Sequence, residues 1–359
     1  MDGKNSLVEF IVEVGRVPII PLLGFPGRQI TNSSIKQNVF NSGVHFLSLL
    51  ELVDRFQPDA IFPMMDLTLE ANALGASVRY HLMAPPSVDD FLITSEEDME
   101  KVYPVDILRD GRINVFLDTM RLMSAHFTIP AAGYVIGPYT LASQLMGASQ
   151  AAKAVIKKQD FLEKVLAFST HVIGLYARAL VEAGASMICV LEPSSMMLSP
   201  RQFERFSGQY LSELFTSFDA NPILHICGDT THLIEKMVAT GAEGLSLDSM
   251  VDFSAIIRQL PEDVVLIGNI NPVEIMLLAK PEEVHARTRQ LMDQMNGFPN
   301  FILSTGCDLP EDTPFDNLDA FMSAGSGLPL GTRPPAEKVL TAEKVAITDL
   351  FKSEWQRSD

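Results

Sequence analysis

Eight short apolar runs recur along the chain, and most are followed by a segment of helical periodicity. They are Val17–Leu23, Ala60–Met65, Gly133–Ile136, Ser186–Leu191, Ile223–Cys227, Gly244–Leu247, Val264–Ile267 and Phe301–Ser304. Near-continuous Val, Ile and Leu mark strands buried on both faces, the condition of parallel sheets. Helices are expected at Gln159–Glu182, Pro200–Phe218, Thr231–Thr240, Phe253–Gln259, Pro281–Met295 and Asp316–Ser323. Pro200 and Pro281 stand where a first helical residue tolerates a missing N–H. Eight strands alternating with helices predict the α/β class and a (β/α)8 TIM barrel. An open doubly wound sheet is the competing arrangement, but no glycine-rich phosphate turn follows the first strand. No linker or repeat interrupts the pattern, so residues 1–359 are expected to form a single domain. The stretch Ala84–Pro130 exceeds a simple crossover; it holds an amphipathic helix near Gly111–His126 and is expected to cover the barrel mouth.

Hydrophobic residues make up 47% of the chain and charged residues 20%, which supplies a large core and argues against disorder. A formal charge of −18 disfavours nucleic acid and anionic membrane surfaces as partners. No apolar run is expected to span a membrane, and the first residues lack the basic-then-apolar pattern of a secretory signal. Three cysteines over 359 residues do not make a disulfide framework, which fits a reducing cytoplasm.

In such a barrel the active site forms at the C-terminal ends of the strands. Those ends hold Asp66, Tyr139, Thr140, Glu192, His225, Cys227, Asp248, Asn269, Asn271 and Cys307. In His225-Ile226-Cys227, strand alternation turns both side chains to one face. Two thiolates and an imidazole suit zinc, and three protein ligands leave a fourth position open for chemistry. As plain packing, the same residues would be two buried thiols and a hydrogen-bonded core histidine. Asp66 reads equally well as the N-cap of a helix over Leu69–Leu74 or as an active-site acid. Glu192 and Asp248 are candidate catalytic carboxylates beside it. Cys189, mid-strand, reads as a small buried hydrophobe, and most of the methionines as core filler.

Several segments resemble the uroporphyrinogen decarboxylase-like superfamily, in its branch of zinc-dependent cobamide methyltransferases of the methylcobamide:coenzyme M type. They are Pro21–Arg28, Phe62–Glu70, His225–Thr231, Gly268–Pro272 and Ser304–Pro310, which spread the likeness over about residues 15–325. The resemblance implies a (β/α)8 barrel with His225, Cys227 and Cys307 as zinc ligands. It also implies a corrinoid (cobalamin) carried by a partner protein, and a small thiol or a methyl donor as the other substrate. Asp66 matches the catalytic aspartate position of the decarboxylases, whose arginine-rich loop after strand one is here reduced to a single Arg28. One arginine in so acidic a chain is poor equipment for a many-carboxylate porphyrinogen. Methyl transfer is therefore expected, with Asp66, Glu192 and Asp248 orienting ligands. Arg28, Tyr139 and Asn269 are expected to contact substrate, and Arg28 to take an anionic head group.

Overall fold

The computed structural model describes residues 5–103 and 105–332. Six parallel strands follow one another in order: Ala132–Ile136, Met187–Leu191, Asn221–Ile226, Gly244–Leu247, Val265–Ile270 and Phe301–Thr305. The first two expected strands are present as single bridges, Ile19 to Leu303 and Ile61 to Ala131. Asp59 N–H donates to Ile19 O at 3.1 Å, so the circuit of strands closes. The prolines explain the shortening: Pro18, Pro21 and Pro63 bring no N–H to a ladder. The fold is the expected α/β barrel.

Inward-facing residues fill the barrel: Ile20, Phe62, Tyr134, Cys189, Ile223, Ile267 and Ile302 belong to one apolar cluster. The helix Leu7–Val14 begins at Ser6, whose capping box with Glu9 satisfies two backbone amides. It pushes Leu7 and Ile11 into that cluster from the N-terminal ends of the strands. Gly244 leaves the room, since a Cβ there would come within 2.8 Å of Leu7.

The helix Gln159–Glu182 runs over the expected residues. Contrary to the sequence expectation, it is long and apolar enough to cross a membrane by length and composition. Most of its apolar face is buried, because it is the crossover helix packed against strand three and the helices beside it. The segment from Pro200 is broken into Pro200–Phe203, a π-turn at Glu204–Gly208, and Gln209–Phe215. Within the stretch Ala84–Pro130, expected over the mouth, lies the helix Gly111–His126. It packs against Ser42–Phe56 in the ring of helices, as the crossover of the second unit. Its length is spent on burying Ile113, Phe116, Leu117 and Met120, and Arg112 at its start reaches the mouth acid Asp66.

Candidate metal centre and active site

His225 and Ser246 are register partners on strands five and six, which puts their side chains on the same face. The Ser246 hydroxyl lies 2.9 Å from His225 Nδ1, which leaves Nε2 to face the mouth. There His225 Nε2 is 3.1 Å from Cys227 Sγ. Cys307 Sγ, just past strand eight, is 3.4 Å from Cys227 Sγ and 3.6 Å from the imidazole. With metal bonds of about 2.0–2.3 Å, a tetrahedral zinc site needs ligand separations of roughly 3.3–3.8 Å. The 3.4 and 3.6 Å separations fall in that range, and the 3.1 Å one must open by about 0.2 Å for the three donors to take the ion. His225 is 1% exposed while both cysteines are half-buried, so the triad opens outward. Of the two thiols, Cys227 gives up its proton more readily because Cys307 hydrogen-bonds to it; that contact, then burial, holds the proton on Cys307.

Asp248 fixes the loop that carries Cys227. One carboxylate oxygen accepts from Gly228 N–H at 2.9 Å, and the other accepts from Met250 N–H at 3.1 Å. Asn269 donates its amide to Asp248 O and Val251 O, both at 2.9 Å, so this nitrogen is committed to pinning the loop that carries Asp248.

Glu192, read from the sequence as a mouth carboxylate, is enclosed at 0% exposure. It accepts from the backbone N–H groups of Tyr139 and Thr140 at 2.9 and 2.6 Å, the first turn of the helix Pro138–Met146. Helix starts leave such amides unsatisfied, and Gly137, its N-cap, has no side chain to serve them. Burial lifts the Glu192 carboxyl to about 7 despite these donors. Tyr139 is buried as well, and burial plus the Glu192 charge push its hydroxyl to about 12.

Asp66 is neither a lone acid nor the cap of the next helix. That helix begins at Leu69, while Asp66 accepts from Thr68 N–H at 2.8 Å and forms a buried ion pair with Arg112. Arg112 also reaches Tyr80 Oη at 3.1 Å and Asn72 Oδ1 at 3.2 Å, with its guanidinium over the Tyr80 ring. Next to them Glu70 accepts from Ile136 N–H at 2.8 Å, and burial raises its carboxyl to about 7. Arg28 is ion-paired to Asp312 on the loop after Cys307, their side chains 12% and 71% exposed. An anion at Arg28 would thus compete with a carboxylate already there.

Ser246, Arg112 and Glu70 carry no local signature in the sequence. Strand pairing could have pointed to Ser246, as the inward polar residue of strand six. Arg112 lies inside the long second crossover, where nothing marks its partner.

The family model described as "Uroporphyrinogen decarboxylase (URO-D)" matches residues 12–327. The chain is 29% identical over 268 residues to the methylcobamide:CoM methyltransferase MtbA of Methanosarcina acetivorans, covering 72% of this chain and 77% of that one. It is 31% identical over 307 residues to a uroporphyrinogen decarboxylase of a Synechococcus species, covering 82% and 86%. Among solved structures, a methyltransferase from Methanosarcina mazei superposes with a TM-score of 0.82 at 25% identity, covering 90% of this chain and 98% of that one. By family match, fold and kinship with the methylcobamide:CoM methyltransferases, the chain belongs to the uroporphyrinogen decarboxylase family, as a methyltransferase.

Proposed function

We propose that this methyltransferase moves a methyl group between a methylcobamide, presented by a corrinoid protein, and a small thiol held at His225, Cys227 and Cys307. The convergence of those three donors at an open barrel mouth carries the reading. Zinc bound there would supply Lewis acidity, lowering the pKa of an incoming thiol so that it is thiolate at neutral pH. The two cysteine thiolates would balance the charge of such an ion, which preserves the nucleophilicity of the substrate sulfur. That sulfur would attack the methyl carbon of methyl-cobalt(III), forming the sulfur–carbon bond as the carbon–cobalt bond breaks. Both electrons of the carbon–cobalt bond stay on cobalt, giving Co(I), and the thiol proton goes to solvent. The protein's contribution is placement. Ser246 holds the His225 ring, Asp248 holds the Cys227 loop, and the Asp66–Arg112 pair stiffens the wall after strand two.

Support against decarboxylation comes from the loop after strand one, where the single Arg28 is already paired with Asp312. Stopped-flow mixing of the zinc-loaded protein with methylcob(III)alamin and a panel of thiols should show the Co(I) spectrum appear. No Co(I) with any thiol, together with robust methylation of Co(I) by a methyl ether, methanol or a methylamine, would reverse the direction of transfer.

A further inference from the structure

One residue past Cys307, Asp308 has both carboxyl oxygens buried and without a hydrogen-bond partner. They lean toward the backbone amides of Met65 and Leu309 without closing a bond of ordinary geometry. Tyr134, inward on strand three and 7% exposed, stacks its ring on Phe62 at 4.8 Å between centroids. Its hydroxyl is also buried and unpartnered. Both groups lie within electrostatic reach of Cys307 and of each other. Each orphaned polar group costs about 1–3 kcal/mol, so a ligand that donates hydrogen bonds to these three atoms would recover that cost. The charge around them selects its chemistry. Arg28 and Arg112, the arginines described at the mouth, are each engaged by a carboxylate, and Asp248 adds a further carboxylate at the loop that carries Cys227.

We propose that Asp308 and Tyr134 form a polar seat beside the metal triad for a hydrogen-bond-donating end, hydroxyl or ammonium, of the small thiol. The chain then favours an amino- or hydroxythiol over a sulfonated one. This rests on the methyl-transfer reading above and narrows its substrate class. The phenol and carboxyl oxygens accept from the head group while the sulfur points to His225, Cys227 and Cys307.

The test uses the full chain loaded with cobalt(II) in place of zinc, whose visible spectrum reports thiol ligation without any methyl transfer. Titration with 2-aminoethanethiol, 2-mercaptoethanol and 2-mercaptoethanesulfonate should rank the amine tightest, by about tenfold or more over the sulfonate, the scale of one charge-assisted contact. Asp308→Asn should weaken the amine by about tenfold and leave the sulfonate within about twofold. Tyr134→Phe removes one oxygen, keeps the stack on Phe62, and should weaken the amine and the hydroxythiol by about threefold. Tightest binding of the sulfonate, lost in Arg28→Ala, would overturn the seat and hand the head group to Arg28. Unchanged rankings in both variants would overturn it too, leaving the orphaned oxygens to a structural water. If the ranking holds but methylcob(III)alamin gives no Co(I), the seat stands and the methyl-transfer reading falls. If Co(I) forms with a thiol preference indifferent to Asp308, the reading stands and the seat falls.

Discussion

Ser246 stands opposite His225 across two adjacent parallel strands, its hydroxyl 2.9 Å from Nδ1 of the ring. The register puts both side chains on one face of the sheet, within hydrogen-bond reach of each other. Ser246→Ala should therefore leave the fold intact and weaken zinc binding by about 10–100-fold, the usual cost of removing a ligand's hydrogen-bonding support. Competition with a chromophoric chelator measures it, and unchanged affinity would mean that the ring is held by strand packing alone.

Cys307→Ala should strip most of the metal while the far-ultraviolet circular dichroism stays that of the barrel, because the triad sits at the strand ends and not in the packed layers. Cys189→Ala should keep the metal, at about 1 kcal/mol for trimming a fully buried thiol. Metal analysis of the two proteins side by side is decisive. Full occupancy in the first would remove Cys307 from the ligand set.

Asp66→Asn leaves Arg112 buried beside a neutral amide and should cost about 3–5 kcal/mol of stability. Asp66→Asn with Arg112→Met should recover much of that loss, since no charge is then stranded. Denaturant unfolding of both variants tests the pair, and zinc content should stay unchanged in both. Loss of zinc from the single variant would make Asp66 a ligand.

Glu192 has a folded-state pKa of about 7, above the ordinary carboxylate value, because burial penalises its charge. The folded protein then binds a proton that the unfolded chain has released between about pH 4.5 and 7. This contribution to stability is full below about pH 4.5 and is lost as pH rises through 7. In Glu192→Gln the decline between pH 5 and 8 should be shallower than in wild type by about 2–3 kcal/mol. Parallel stability–pH curves for the two proteins would show that Glu192 is ionised in the fold across this range.

The barrel was legible because its strands are buried on both faces and so are written as unbroken apolar runs. The meeting of His225 and Cys227 was legible because alternation along a strand turns both to one face, and Cys307 joins them from the end of the last strand. Long-range polar pairing leaves no comparable mark. Arg112 meets Asp66 through a crossover whose length says nothing about where its side chains end. Glu192 shows the converse: a carboxylate at a strand end suggests chemistry, and the sequence does not reveal that the first turn of the helix Pro138–Met146 donates to it. Met64 N–H donates to His45 Nε2 at 2.9 Å, a second buried partnership that gives a helix histidine a purpose no motif announces. The shortened first two strands follow from prolines that an apolar count treats as neutral.

The helix Leu7–Val14 drives two aliphatic side chains into the lower end of the barrel, which makes the molecule a vessel with one door. With the interior filled as well, the described residues leave no way along the axis, and under the methyl-transfer reading donor and acceptor would share one opening.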